Sequence, residues 1–230
     1  MYLAIDNCTN YASVGLYSNG VIFEETWLSQ MQHTATTLPK IEKALLSQGR
    51  NFADLKGIAC AKGPGSFNGT RAGISLGIGL GMALGIPVVF VSTLEISAFP
   101  FKDSTQPIVS LLSAGRGEVY TATFQSRNGL WQNTVSEHIS TINEILNGIK
   151  EPTIFCGEYI GEVGSMVKFR LGDMCIITEK ITRSVKSLFE VALPKFLENI
   201  NNCPEPSYLR KPPITKSHKH TGLNNQQILE

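Results

Sequence analysis

Residues 57–91 read GIACAKGPGSFNGTRAGISLGIGLGMALGIPVVFV, and this stretch decides the fold. Gly57–Ala61 is a short apolar run that reads as a buried strand. A glycine-dense loop follows, then a helix from about Ala72 to Leu84. Val88–Val91, β-branched and aromatic, reads as the next strand. Ala72–Val91 is also long enough and free enough of charge to raise the question of a membrane span. Gly73, Gly77, Gly79, Gly81 and Gly85 lower its hydrophobicity, and Pro87 ends any helix near its position. The reading is a short Gly-rich helix and a buried strand, with no membrane.

Outward from this unit, three apolar runs open the chain: Tyr2–Ile5, Ala12–Tyr17 and Val21–Trp27. Ser18-Asn19-Gly20 between the last two is a hairpin signal, because Asn-Gly accepts positive φ. Leu38, Ile41 and Leu45 then recur at helical spacing among Lys40, Glu42 and Lys43. The first half is therefore β-β-β-α-β-α-β. The second half repeats the plan. Strands are expected at Pro107–Leu112, Glu118–Gln125, Leu130–Glu137, Thr153–Cys156 and Cys175–Thr178, with helices near Thr141–Asn147 and Tyr159–Val167. A last amphipathic helix carries Val185, Leu188, Phe189, Ala192 and Phe196.

A three-stranded meander extended by strand–helix units is the ribonuclease-H-like plan. Two in tandem predict an α/β fold with two ribonuclease-H-like lobes, as in the actin, sugar-kinase and heat-shock ATPase superfamily. The expected lobes are residues 1–100 and 107–200, divided in the Pro-containing, polar stretch Phe99–Gln106. A polar tail at 211–230 begins with Pro212-Pro213, lacks periodicity and is expected to be mobile.

The chain has 230 residues, 20 Lys plus Arg against 19 Asp plus Glu, and a formal net charge of +1. That balance argues against a dedicated DNA-binding domain, which carries a basic stripe. The five cysteines are odd in number and scattered, with no C-x-x-C pair, so neither a disulfide framework nor a zinc site is expected. A reduced cytoplasmic protein is the expectation, since MYLAIDNC has no basic region typical of a secretory signal.

Several residues could carry chemistry. Asp6, ending the first strand, is placed to face a nucleotide's metal, as in superfamily ATPases, with Thr9 supplying a hydroxyl. It is equally placed to hydrogen-bond the turn after the strand. Asn7-Cys8 occupies the position of a Gly-Thr phosphate turn. The loop Gly63-Pro64-Gly65-Ser66-Phe67, with Gly69 and Arg71, leads into a helix whose N-terminus suits an anion. It has no G-x-x-x-x-G-K-[ST] pattern, and tight turn geometry explains it as well. Gly73, Gly77, Gly81 and Gly85 line one helix face. They face either the protein's own sheet or another helix. There is no His-x-x-x-His, no G-x-S-x-G, and no evident pair of catalytic carboxylates. His218 and His220 in the tail lack further ligands. No catalytic residue, metal site or cofactor is assigned.

LAIDNCTNYASVGLY, His33 with its helix, GPGSFNGTRAGI, GRGEVY and PSYLR together resemble the TsaB (YeaZ) family over residues 1 to about 210. GPGSFNGTRAGI is the specific part. The resemblance implies a non-catalytic scaffold subunit of the machinery that makes threonylcarbamoyladenosine in transfer RNA. It implies a TsaD-type catalytic partner holding the metal-binding His pair, a TsaE-type ATPase, and self-association when alone. Transfer RNA would be contacted indirectly. On that likeness His33, Gly73, Gly77 and Gly81 face the partner. The sequence departs from the family pattern at Asn68, at Thr70, and at Ser113-Ala114-Gly115, with Arg116 offset by one place. The rival expectation, from element order and Asp6, is a small ATP-binding kinase or ATPase.

Overall fold

The computed structural model describes residues 1–29, 33–177, 183–198 and 209, the side chains of 33–35 excepted. The 211–230 tail lies outside the described residues. The first half runs β1 (Tyr2–Asp6), β2 (Tyr11–Tyr17), β3 (Val21–Leu28), α1 (His33–Ser47), β4 (Gly57–Ala61), α2 (Phe67–Leu84), β5 (Val88–Val91) and α3 (Thr93–Ala98). The second runs β6 (Ile108–Gly115), β7 (Glu118–Arg127), β8 (Leu130–Thr141), α4 (Ile142–Gly148), β9 (Thr153–Cys156), α5 (Ile160–Leu171), β10 (Cys175–Ile177) and α6 (Val185–Leu197).

The strands form two five-stranded sheets, ordered β3-β2-β1-β4-β5 and β8-β7-β6-β9-β10. In each, the first three strands are an antiparallel meander and the last two add in parallel. This is the ribonuclease-H-like order, twice, and the fold is the two-lobed α/β architecture expected. Asn19, at φ 58, makes the β2–β3 turn.

Alternation along the strands splits each sheet into two apolar faces. Leu3, Ile5, Ile58 and Cys60 point to α1 and α2, meeting Ile41, Leu45 and Ile74. Ala4, Ala59 and Ala61 point the other way and meet Leu188, Phe189 and Ala192 of α6. On the second sheet Val109, Leu111 and Phe155 meet α5, while Ile108, Leu112 and Phe124 cluster with Leu94 and Ala98 of α3.

The structure departs from the sequence reading here. Helix α3 follows the first half yet covers the second sheet, and α6 follows the second half yet covers the first. The two helices touch each other between the sheets, with Lys195 of α6 near Glu95 of α3 at 3.8 Å. Neither helix respects a division at Phe99–Gln106. The sequence reading lacked α3 because its six residues are too few for a periodic signal. Its start was nonetheless written in Ser92-x-x-Glu95, and the Ser92 hydroxyl caps the amides of Leu94 and Glu95.

Helix α2 begins at Phe67, five residues before the expected start at Ala72, because Ser66 caps it by accepting from the Gly69 amide. Gly69, Thr70 and Arg71 are therefore helix, not loop. The glycine ladder faces inward. A Cβ on Gly73 would lie 3.3 Å from Asn7 Cβ, one on Gly77 2.2 Å from Cys60 Sγ, and one on Gly81 2.3 Å from Val88 Cγ2. The expectation that these three meet a partner is corrected: β4, the strand start at Val88 and the β1–β2 turn occupy their faces. Gly79 points the opposite way, with nothing within 4 Å of its Cβ position.

Opposite stability effects should follow. Gly77→Ala overpacks against Cys60 and should lose about 2 kcal/mol. Gly79→Ala meets no atom and should gain up to about 1 kcal/mol from helix propensity. Denaturant unfolding of both variants checks the assignment.

Candidate functional site

The end of β1 delivers Asp6 to the cleft between the lobes. Asp6 is 3% exposed. Its Oδ1 accepts from the Cys8 amide at 2.9 Å, and its Oδ2 accepts from Arg183 Nε at 2.7 Å. The same guanidinium donates through Nη1 to Glu158 Oε1 at 2.7 Å and through Nη2 to Thr9 Oγ1 at 3.1 Å. The Thr9 hydroxyl reaches Glu158 Oε1 at 3.0 Å and also accepts from the Tyr11 amide. Burial alone would lower the Arg183 pKa, but the carboxylates of Asp6 and Glu158 outweigh it and hold the pKa above its usual value.

Asp6 and Thr9, paired by the sequence reading, are thus brought together, on Arg183. Sequence reasoning missed Arg183 and Glu158. Arg183 lies between a strand and an amphipathic helix, and nothing local separates it from a surface arginine. The available signal was Ser184, which caps α6 by accepting from the Ser187 amide and so fixes where the preceding residue points.

The turn after Asp6 is consumed internally. Asn7 exchanges side-chain hydrogen bonds with Thr37 of α1. Cys8 Sγ donates to the Ala61 carbonyl at 3.4 Å, and the Cys8 carbonyl accepts from the Ser66 amide at 2.6 Å. The signature loop is clamped on this turn. A Cβ on Gly65 would fall 2.0 Å from Cys8 O, so only glycine lets the two backbones approach. Gly63, at φ 90, and Pro64 both present carbonyls to Thr93, the first residue of α3, which donates its amide to one and its hydroxyl to the other. The loop therefore serves tight geometry. Arg71 lies over the Phe67 ring at 3.8 Å. His33 opens α1, and its side chain lies outside the described residues.

Beside the ion pairs lies a cavity of about 320 Å³, whose walls include Tyr11, Ser66, Ser113, Glu158, Tyr159 and Glu162. Two carboxylates in its wall oppose a polyphosphate anion. Among the described residues no three His, Cys, Asp or Glu side chains converge as a metal site. Burial pushes the thiols of Cys8 and Cys60 well up and that of Cys156 up to about 12, so none is a ready thiolate at neutral pH. No described helix is long and apolar enough to cross a membrane.

Known proteins resemble this chain in sequence and in fold. The family model of TsaD, tRNA N6-adenosine threonylcarbamoyltransferase, matches residues 20–211. The chain is 34% identical to the tRNA threonylcarbamoyladenosine biosynthesis protein TsaB of Escherichia coli over 60% of its own length and 61% of the relative's. It is 31% identical to TsaB of Bacillus subtilis over 74% of its length and 76% of the relative's. It is 33% identical to TsaB of Buchnera aphidicola subsp. Schizaphis graminum over 65% of its length and 72% of the relative's. Among solved structures it superposes on a Pseudomonas aeruginosa protein described as similar to peptidase YeaZ. The TM-score is 0.75 at 24% identity, covering 91% of this chain and 99% of that one. YeaZ from Pseudomonas aeruginosa gives a TM-score of 0.69 at 24% identity, over 86% and 94% of the two chains.

The buried thiols set an alkaline limit on stability. An unfolded chain releases the Cys156 proton near the ordinary 9.0, whereas the folded chain holds it to about 12. Between those values the unfolded state binds fewer protons, so stability falls as pH rises. Going from pH 8 to pH 10 should cost the protein roughly 1 kcal/mol more than it costs Cys156→Ala. Urea unfolding at the two pH values checks this.

Proposed function

The chain belongs to the TsaD family and to its TsaB (YeaZ) members, and on that premise we propose that it is a non-catalytic scaffold subunit for making threonylcarbamoyladenosine in transfer RNA. Its task is to bind and support a TsaD-type catalytic subunit that modifies the adenosine next to the anticodon. A TsaE-type ATPase joins that pair, and the chain alone forms a homodimer. Transfer RNA is contacted mainly by the other subunits, in keeping with a net charge of +1. The reaction is cytoplasmic.

The observation that carries this reading is the outer face of α2. Asn68, Ser75, Gly79 and Met82 form its solvent side, and Met82 is 79% exposed. Leu38 and Leu46 are exposed on the neighbouring α1. The inward glycines have the sheet to explain them, but Gly79 does not. A helix-interior glycine costs about 1 kcal/mol against alanine. Close approach of a partner's backbone is the compensation that its open surroundings leave room for. The absence of a His-x-x-x-His pattern from the sequence suits a subunit that leaves the chemistry to its partner.

The alternative, a small ATP-dependent kinase or ATPase, draws no support from the cleft. The Asp6 oxygens that would face a nucleotide's metal are already engaged by Arg183 and the Cys8 amide.

Size-exclusion chromatography with light scattering tests the scaffold reading. The protein alone should run as a homodimer and, mixed with its own organism's TsaD-type protein, as a heterodimer. Gly79→Arg should keep or raise the unfolding midpoint while losing the heterodimer. A Gly79→Arg chain that pairs like the parent would place the interface elsewhere. Isothermal calorimetry with magnesium and ATP should show no saturable heat for the isolated chain. A stoichiometric signal would restore the ATPase reading.

A further inference from the structure

We propose that Arg183 is a built-in ligand of the interlobe cleft, whose guanidinium clasps the two lobes together in place of a bound cofactor. Its partners come from both sides. Asp6 and Thr9 belong to the strand end and turn of the first lobe, while Glu158 stands between β9 and α5 of the second. Each guanidinium nitrogen has its own acceptor, at 2.7, 2.7 and 3.1 Å, and the residue is 8% exposed. A planar fork of fixed donors is suited to joining carboxylates that approach from different directions.

The arginine is anchored to the first lobe by the residues that follow it. The Val185 amide donates to Glu24 Oε1 of β3 at 2.9 Å. Val185 Cγ1 sits over Gly15 of β2, where a Cβ would lie only 2.1 Å away. The arm to Glu158 is therefore the part that spans the cleft. Without the guanidinium, two carboxylates and a hydroxyl would face one another in a poorly hydrated gap. Arg183 occupies the position where Asp6 was expected to meet a nucleotide's metal, and it supplies the positive charge there permanently. The lobes are thus held at one angle whether or not a small molecule is present.

The test is chemical rescue of the full-length chain. Arg183→Ala should lower the thermal midpoint by about 10 °C. It should also speed amide exchange on both sides of the cleft, in 6–11 and in 157–162. Guanidinium chloride at about 10 mM, far below denaturing concentrations, should raise the midpoint of Arg183→Ala and slow exchange in both segments, and should leave the parent unchanged. Sodium chloride at equal ionic strength should do neither. Rescue by both salts alike, no rescue by guanidinium, or faster exchange confined to one lobe would overturn the proposal. If Arg183→Ala does not fold, Arg183→Lys carries the test. Its compact ammonium lacks the spread of the planar fork and cannot reach acceptors placed on three separate guanidinium nitrogens, so exchange should rise on both sides, and exchange equal to the parent's would overturn the clasp.

Discussion

A β-sheet that is apolar on both faces needs a cover on both, and each sheet here borrows one cover from the other half of the chain. Helices α1 and α2 close one side of the first sheet, and α4 and α5 close one side of the second. The remaining faces are closed crosswise by α6 and α3. Alternation makes this fit possible. Among the strand residues facing α6, Ala4, Ala59 and Ala61 are small, so Phe189 and Leu188 can sit close. Neither half holds a complete core of its own, and the lobes are coupled through packed apolar surface before any ion pair is counted.

The signature loop ties that core to the cleft. Gly65 admits the Cys8 carbonyl, Ser66 starts α2, and the carbonyls of Gly63 and Pro64 hold the first residue of α3. One loop therefore fixes the turn after Asp6, the inward face of α2 and the helix that covers the other lobe's sheet. Its glycines answer to backbone crowding, which is why a motif resembling an anion-binding loop performs an architectural task.

The sequence made much of this legible, and its failures share a cause. Strand alternation and the Asn-Gly turn located the meanders to within a few residues, and the signature loop pointed to the family. The missed pieces depend on contacts between distant segments. Helical spacing aligned Gly73, Gly77 and Gly81 but carried no sign of which way the aligned face points; Cys60 and Val88 decide that. Helix α3 was too short to show a period, although its cap was written plainly. Arg183 lies 177 residues from Asp6 and 25 from Glu158, and no local pattern marks a guanidinium that will be buried at such a distance.

The crossed covers also impose an order on synthesis. The strands of the first sheet are complete once Val91 is made, but the helix that shields their second face ends at Leu197. At roughly 5–20 residues per second on the ribosome, that face stays bare for on the order of ten seconds. Ala4, Val89 and their neighbours meet water, or another nascent chain, throughout that interval. The chain is thus stickiest between the synthesis of β5 and that of α6. The length of that exposure is set by the sequence distance from β5 to α6, not by the stability of the finished fold.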